Sequence, residues 1–400
     1  MSSRKGAAST VPLIGVSLAS IILFVVVLSI PLAAGPEIGL SPALLATWIA
    51  GLYGIPSVLG ILMAIRYRMP LAVTGTFVAI ILVATVGDQF SYAELVGAFM
   101  LAGIVVVLMG VFGVTARLAQ WVPVPIVQGL LAGAVLPFVV GIFAPLGDHT
   151  LMAGGALLTY VAARWLLGPR PIAILPALVV GIAVAGATGQ LGQLPAAWSL
   201  PAPVLTWPAF SLQAIATITP VVVVLMTFQA NVPSMVILHG QGYHPPRRTV
   251  DVVSGLGTVG ASFLGPIAVS LSLPATSLIS GHDAGDLDKR HRAIYVVNSV
   301  GLLIALLGGA AAVLSGLIPY VLLLALAGLA MLGVFIGAFQ QMAKGPLVLG
   351  PVFAFAIAVS GVSLFGFGAF FWALVLGIGV SLLLERPAMQ EQRTAAVKQG

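Results

Sequence analysis

Long apolar runs, each closed by glycine, proline or a charged residue, recur along the 400-residue chain. A helix needs about 20 residues to cross a bilayer. Read at that length, the runs predict about fourteen spans: 12–34, 42–65, 71–86, 91–115, 124–145, 150–167, 171–188, 213–238, 249–264, 267–281, 293–316, 319–342, 347–364 and 368–385. The third and tenth are short, and the tenth reads badly as a helix. It contains Gly265-Pro-Ile-Ala-Val-Ser-Leu-Ser-Leu-Pro-Ala-Thr276, in which Val269 and the serines favour extended backbone. Pro274 removes an N–H and pushes Leu273 out of the helical region, yet proline suits the first turn of a helix. The pattern predicts an extended piece followed by a half-helix from near Pro274 to about Ser280. Such a piece leaves bare N–H groups at membrane depth. These are tolerated only where protein covers them or where they line a polar cavity, so a broken helix points to a transport site.

The stretch has a twin. Met69-Pro-Leu-Ala-Val-Thr74 returns as Gly265-Pro-Ile-Ala-Val-Ser270, an offset of 196 residues. Pro123 and Pro319, Leu130 and Leu326, Ala134 and Ala330, and Leu136 and Leu332 share that offset. A shared Pro-x-Ala-Val-hydroxyl core at one offset predicts two halves of about 200 residues each.

Composition fixes the class. Hydrophobic residues make up 60% and charged residues 6%, against about a quarter charged in soluble domains, and mean hydropathy is +1.17. The chain reads as an all-α polytopic membrane protein. It has no cysteine, which excludes disulfides, thiol chemistry and Cys-ligated metals. The net charge of +6 is topological and implies no nucleic-acid partner. With the N-terminus in the cytoplasm, all 16 Lys and Arg fall on inside positions, while Glu37, Asp88, Glu94, Asp148 and His149 fall outside. That partition follows the positive-inside rule and places both termini in the cytoplasm. The run from Val11 reads as the first span and not as a cleaved leader. Segment 189–212, with Trp198, Trp207 and four prolines, reads as an interfacial loop.

No Lys, Arg, Asp or Glu falls near the middle of any span, and Asp251 and Glu94 sit at helix starts. The polar candidates at membrane depth are therefore neutral: Thr227, Gln229 and Asn231 on the eighth span; Thr74, Gly75 and Thr76 on the third; Ser270, Leu271 and Ser272, with Thr276, on the tenth; and Ser29 on the first. Amides and hydroxyls without charge suit a small polar or anionic ligand that must bind and leave, although such residues also bond helix to helix. His239 and His244 read as loop histidines. The loop from Gly281 to Arg292 lacks EF-hand spacing and reads as a cytoplasmic gate or tether. There is no GxGxxG, P-loop or HExxH, so no cofactor, metal or enzymatic activity is expected.

Gln229-Ala-Asn-Val-Pro-Ser-Met, His239-Gly-Gln-Gly-Tyr, the Gly265–Thr276 stretch and Arg290-His-Arg-Ala-Ile-Tyr295 resemble the benzoate:proton symporter family of bacterial inner membranes, over nearly the whole chain. That family is similar in architecture to the nucleobase (uracil) permeases. The resemblance implies seven plus seven spans in inverted repeats. It implies a core domain from 11–115 and 213–316, a gate domain from 124–188 and 319–385, and an architecture in which homodimers are common. It also implies a substrate site between the third and tenth spans, faced by the first and eighth. Nucleobase permeases carry glutamates where this chain has Gln229 and Ser272, which argues against a nucleobase substrate. The expected activity is import of benzoate or a similar aromatic carboxylate with protons, the ring lying against Phe77, Leu271 and Phe228. The rivals are an uncoupled anion channel or exchanger, and a nucleobase-type permease.

Overall fold

The computed structural model describes residues 15–18, 20–21, 27–87, 89–118, 121–168, 173–192, 202–281 and 284–391. The helices are α1 (Ser29–Glu37), α2 (Pro42–Tyr67), α3 (Phe77–Val86), α4 (Tyr92–Phe112), the single turn α5 (Thr115–Leu118), α6 (Val124–Val140), α7 (Thr150–Leu167) and α8 (Ile174–Ala187). Then come α9 (Leu212–Val224), α10 (Val232–Gly240), α11 (Arg247–Ser262), α12 (Leu273–Ser280), α13 (Arg292–Leu306), α14 (Gly308–Leu317), α15 (Tyr320–Met342), α16 (Leu349–Ser360) and α17 (Ala369–Leu384). Two short strands, β1 (Val73–Gly75) and β2 (Val269–Leu271), and the 3-10 turns Ala144–Leu146 and Leu287–Lys289 lie among them.

Among the described residues, six helices are long and apolar enough to cross a membrane: Pro42–Tyr67, Tyr92–Phe112, Val124–Leu146, Thr150–Leu167, Leu212–Gly240 and Tyr320–Met342. Shorter apolar helices are Phe77–Val86, Ile174–Ala187, Leu349–Ser360 and Ala369–Leu384. Three departures from the sequence pattern stand out. Span eleven is two helices, interrupted at Leu307 just before Gly308-Gly309, where glycine costs helix about 1 kcal/mol per residue. The eighth span changes to a π-helix over Leu225–Asn231. Val232 N reaches back five residues to Thr227 O, because Pro233 in the next turn has no N–H to give. Residues 12–14, 19 and 22–26 of the first predicted span, and Trp198, lie outside the described residues, and α1 runs on to Glu37. The described part of the Trp loop, 189–192 and 202–211, has no helix beyond the end of α8; it is pinned by Val204 N to Thr47 Oγ1 and by Ala209 N to Ala93 O, and Trp207 is 76% exposed.

The third and tenth spans fold as an extended piece and a half-helix. β1 and β2 pair antiparallel with Val73 opposite Leu271, Thr74 opposite Ser270 and Gly75 opposite Val269. Thr74 and Ser270, related by the 196-residue offset, are direct partners, so the ladder sits on the local two-fold relating the halves. The flanking bonds obey the same symmetry: Thr76 N donates to Ala268 O at 2.7 Å and Ser272 N to Ala72 O at 2.8 Å. Gly265 initiates the extended piece with φ +150°, and a Cβ there would lie 2.6 Å from Trp48 Cδ1.

Helix α11 carries its polar residues inward. Asp251, Ser254, Thr258 and Ser262 follow at steps of three, four and four residues, and all are buried. Its back packs on α4 through glycines: a Cβ on Gly255 would lie 2.5 Å from Gly103 O and 2.7 Å from Val107 N. Backbone cannot yield as a side chain does, so Gly255→Leu should destabilise the fold by about 3 kcal/mol or more. Gly260→Leu on the same helix meets nothing within 4 Å and should leave stability unchanged. Thermal unfolding of the two variants in detergent checks this; equal melting would contradict the close packing.

Candidate functional site

The antiparallel ladder sends its two half-helices off in opposite directions, so both N-termini face the centre of the protein. Each N-terminus has unpaired backbone N–H groups and a partial positive charge of roughly half a unit. At α12, Ser272 is the cap, its Oγ accepting from Ala275 N at 3.3 Å. At α3, Thr76 makes no side-chain capping bond; its hydroxyl is engaged with Ser270 Oγ at 2.6 Å. The α3 N-terminus is therefore left without a side-chain cap.

A cavity of about 50 Å3, open at its mouth, lies against this centre. Its polar edge is Tyr53 and Ser57 of α2, Thr74 and Gly75 of β1, and Ser272. Its apolar walls include Phe77, Pro274, and Ala330, Met331 and Val334 of α15. Among the described residues, no charged residue lines it. Apolar walls and a few convergent polar groups are the marks of a small-molecule site. A negative ligand there would meet neutral donors and two helix N-termini.

The structure sorts the sequence candidates into two groups. Thr74, Gly75 and Ser272 line the cavity, with Phe77 as a wall. Ser29 begins α1, two residues beyond the lining residue Val27. Thr76, Ser270, Leu271, Thr227, Gln229 and Asn231 are buried and do not line it, and neither does Phe228. Thr227 bonds back to Val223 O on its own helix at 2.6 Å.

Asn231 instead acts as a bracket behind the strand. Its Oδ1 accepts from Leu271 N at 2.9 Å, and its Nδ2 donates to Asp251 Oδ1 at 3.1 Å and to Ser254 Oγ at 3.2 Å. Thr258 Oγ1 likewise accepts from Val269 N at 2.9 Å. The edge of β2 that faces away from β1 is thus closed by side chains of the π turn and α11, which keeps its N–H groups paired at membrane depth. Asp251 is only 2% exposed, and its other oxygen accepts from Thr115 Oγ1 at 2.8 Å.

Sequence reasoning missed Tyr53, Ser57 and the α15 wall, and it placed Asp251 at a helix start without a role. The signal for Asp251 was present in the inward polar stripe of α11; Tyr53 and Ser57 offered none that separates them from ordinary residues of an apolar span. The loop after Gly281 behaves as a tether: Arg290 is buried and donates to Ser280 O and Gly285 O. Among the described residues, no group of three or more His, Asp or Glu is placed to hold a metal ion.

Residues 7–383 match the family described as BenE, Benzoate membrane transport protein. The chain is 28% identical over 361 residues to the "Benzoate membrane transport protein" of Acinetobacter baylyi, covering 88% of this chain and 90% of that one. It is 27% identical over 342 residues to "Inner membrane protein YdcO" of Escherichia coli, covering 85% and 87%. Among solved structures, the transmembrane domain of the cyanobacterial bicarbonate transporter BicA superposes with a TM-score of 0.59 at 16% identity, over 93% of this chain and 97% of that one. The murine Slc26a9 anion transporter in its inward-facing state superposes with a TM-score of 0.58 at 13% identity, over 94% and 68%. The fold is shared with these transporters: a helical, polytopic membrane architecture of inverted-repeat type.

Proposed function

Because the chain belongs to the benzoate membrane transport protein family, and so is a membrane transport protein, we propose that it imports benzoate or a similar aromatic carboxylate together with protons. The observation that carries this reading is the cavity: it is uncharged, walled on one side by Phe77 and α15, and edged on the other by hydroxyls and two half-helix N-termini. A carboxylate would take the polar edge and its ring the apolar wall. Thr74, Gly75 and Ser272 contact the ligand on this reading. Thr76, Ser270, Leu271, Thr227, Gln229 and Asn231 hold the strand and π turn around it, and Ser29 closes the side near α1.

On the same reading the chain makes fourteen spans, seven plus seven, in the bacterial inner membrane with both termini in the cytoplasm, and it pairs as a homodimer. Residues 11–115 and 213–316 form the core, and 124–188 and 319–385 form the gate. The α15 wall then belongs to the gate, and movement of gate against core opens the cavity to either side in turn.

The test is initial uptake of labelled benzoate into proteoliposomes. Benzoic acid itself crosses bilayers, so the measured quantity is the saturable rate above protein-free vesicles, not the final level. An inward proton gradient should accelerate saturable uptake several-fold, and unlabelled substituted benzoates should compete where uracil does not. A second reading, uncoupled anion passage, is favoured by the absence of a carboxylate from the cavity lining. It calls for a rate set by membrane potential and indifferent to the proton gradient. No saturable benzoate uptake under either force would overturn both.

A further inference from the structure

We propose that Asp251 is the group that carries the coupled proton, and that Asn231 transmits its protonation to the substrate-binding strand. This rests on the proton-coupled reading above. Asp251 and Arg290 are the two charged residues buried among those described, and Arg290 is spent on loop carbonyls. Both hydrogen-bond donors to Asp251, Thr115 and Asn231, are neutral. The elements packed around it supply few charges: Arg247 and Arg248 precede it on α11, and Arg117 follows Thr115 on α5. The Arg248 guanidinium lies against Gly113, where an added Cβ would meet its Nε at 2.8 Å. The π turn and β2 contain no titratable residue, and α2 and α4 present Tyr53, Arg66, Tyr67, Tyr92 and Glu94. A buried carboxyl with neutral partners changes its charge by taking or releasing a proton.

The geometry links that exchange to the site. An ionised carboxylate only accepts hydrogen bonds, which is how Asp251 meets the Asn231 amide N–H and the Thr115 hydroxyl. A proton on Oδ2 can be given to Thr115 Oγ1, whose hydroxyl accepts as well as donates, but a proton on Oδ1 makes the acid a donor there and needs the carbonyl oxygen of Asn231. That oxygen now holds Leu271 N. The amide would have to turn, setting its own N–H groups against Leu271 N–H and releasing the strand. Leu271 precedes Ser272, which lines the cavity and caps α12. A proton on Oδ1 of Asp251 and the grip on β2 are therefore alternatives at one amide. The proton enters Asp251 from water on the side of higher concentration. It leaves to water on the other side, with no further reactant.

Asp251→Asn in proteoliposomes should retain benzoate counterflow at equal pH on both sides while losing acceleration by an inward proton gradient. In weakly buffered detergent solution, benzoate binding should draw protons from the medium with the unaltered protein and not with Asp251→Asn. Should that variant fail to fold, Thr115→Val keeps the carboxyl but removes a donor to its charged form. It should move the midpoint of proton uptake by about one pH unit. Gradient-driven acceleration that survives in Asp251→Asn, or an unmoved midpoint in Thr115→Val, overturns the assignment while leaving the transport reading intact. An unaltered protein that ignores the gradient overturns the coupling reading and this assignment together.

Discussion

Replacing Ser272 by aspartate should weaken benzoate binding by about a thousandfold while leaving the protein folded. The fold survives because aspartate is as good an N-cap as serine. It can accept from Ala275 N as Ser272 Oγ does at 3.3 Å, and its charge suits the positive end of α12. Those same properties work against a carboxylate ligand. The new charge occupies the helix end that the ligand would use, and it stands on the cavity lining. Two like charges about 4 Å apart at an effective dielectric of about 20 repel by about 4 kcal/mol, and each 1.4 kcal/mol is about tenfold in affinity. Equilibrium binding of labelled benzoate to the purified variant, beside its melting temperature, checks this. A folded Ser272→Asp protein that binds benzoate like the unaltered one would place the carboxylate elsewhere.

The broken spans were legible in the sequence because their signal is local. Pro274, the flanking serines and the repeated Pro-x-Ala-Val-hydroxyl core each constrain the backbone within a few residues, and the ladder of Val73–Gly75 on Val269–Leu271 is the result. The pairing of Thr74 with Ser270 was implicit in the 196-residue offset, since elements related by a two-fold must meet at equivalent residues. What stayed hidden depends on facing partners. Gln229 and Asn231 look alike on an apolar span, and only the position of α11 decides that Asn231 is held by Asp251, Ser254 and Leu271. The α15 wall is made of Ala330, Met331 and Val334, which carry no chemical mark that sets them apart from lipid-facing residues. The polar stripe of α11 is the exception. Its helical spacing was visible, but its direction was not, because polar residues on a membrane helix can face a partner, a cavity or a loop.

Asn231→Leu should be among the most damaging single changes near the site, although Asn231 does not line the cavity. Leucine has about the right bulk but cannot hydrogen-bond. Its introduction leaves Leu271 N–H unpaired at membrane depth and takes from Asp251 one of its two donors. An orphaned buried N–H costs about 1–3 kcal/mol and the loss of a donor to a charged group about 1.5–3 kcal/mol, so the total is about 2.5–6 kcal/mol. The damage should appear both as a lower melting temperature and as loss of the proton uptake that accompanies benzoate binding, because leucine breaks the link from Asp251 to the strand that runs directly into Ser272. Thr227→Val, four residues earlier on the same π turn, is the control. Thr227 is equally buried, but its hydroxyl returns to Val223 O within its own helix. Exchanging it for an isosteric methyl should cost about 1 kcal/mol or less. Measured side by side in detergent, the two variants should separate widely in melting and in proton uptake on benzoate binding. Equal behaviour would mean that Asn231 does not brace the strand, and that the cavity keeps its shape by other contacts.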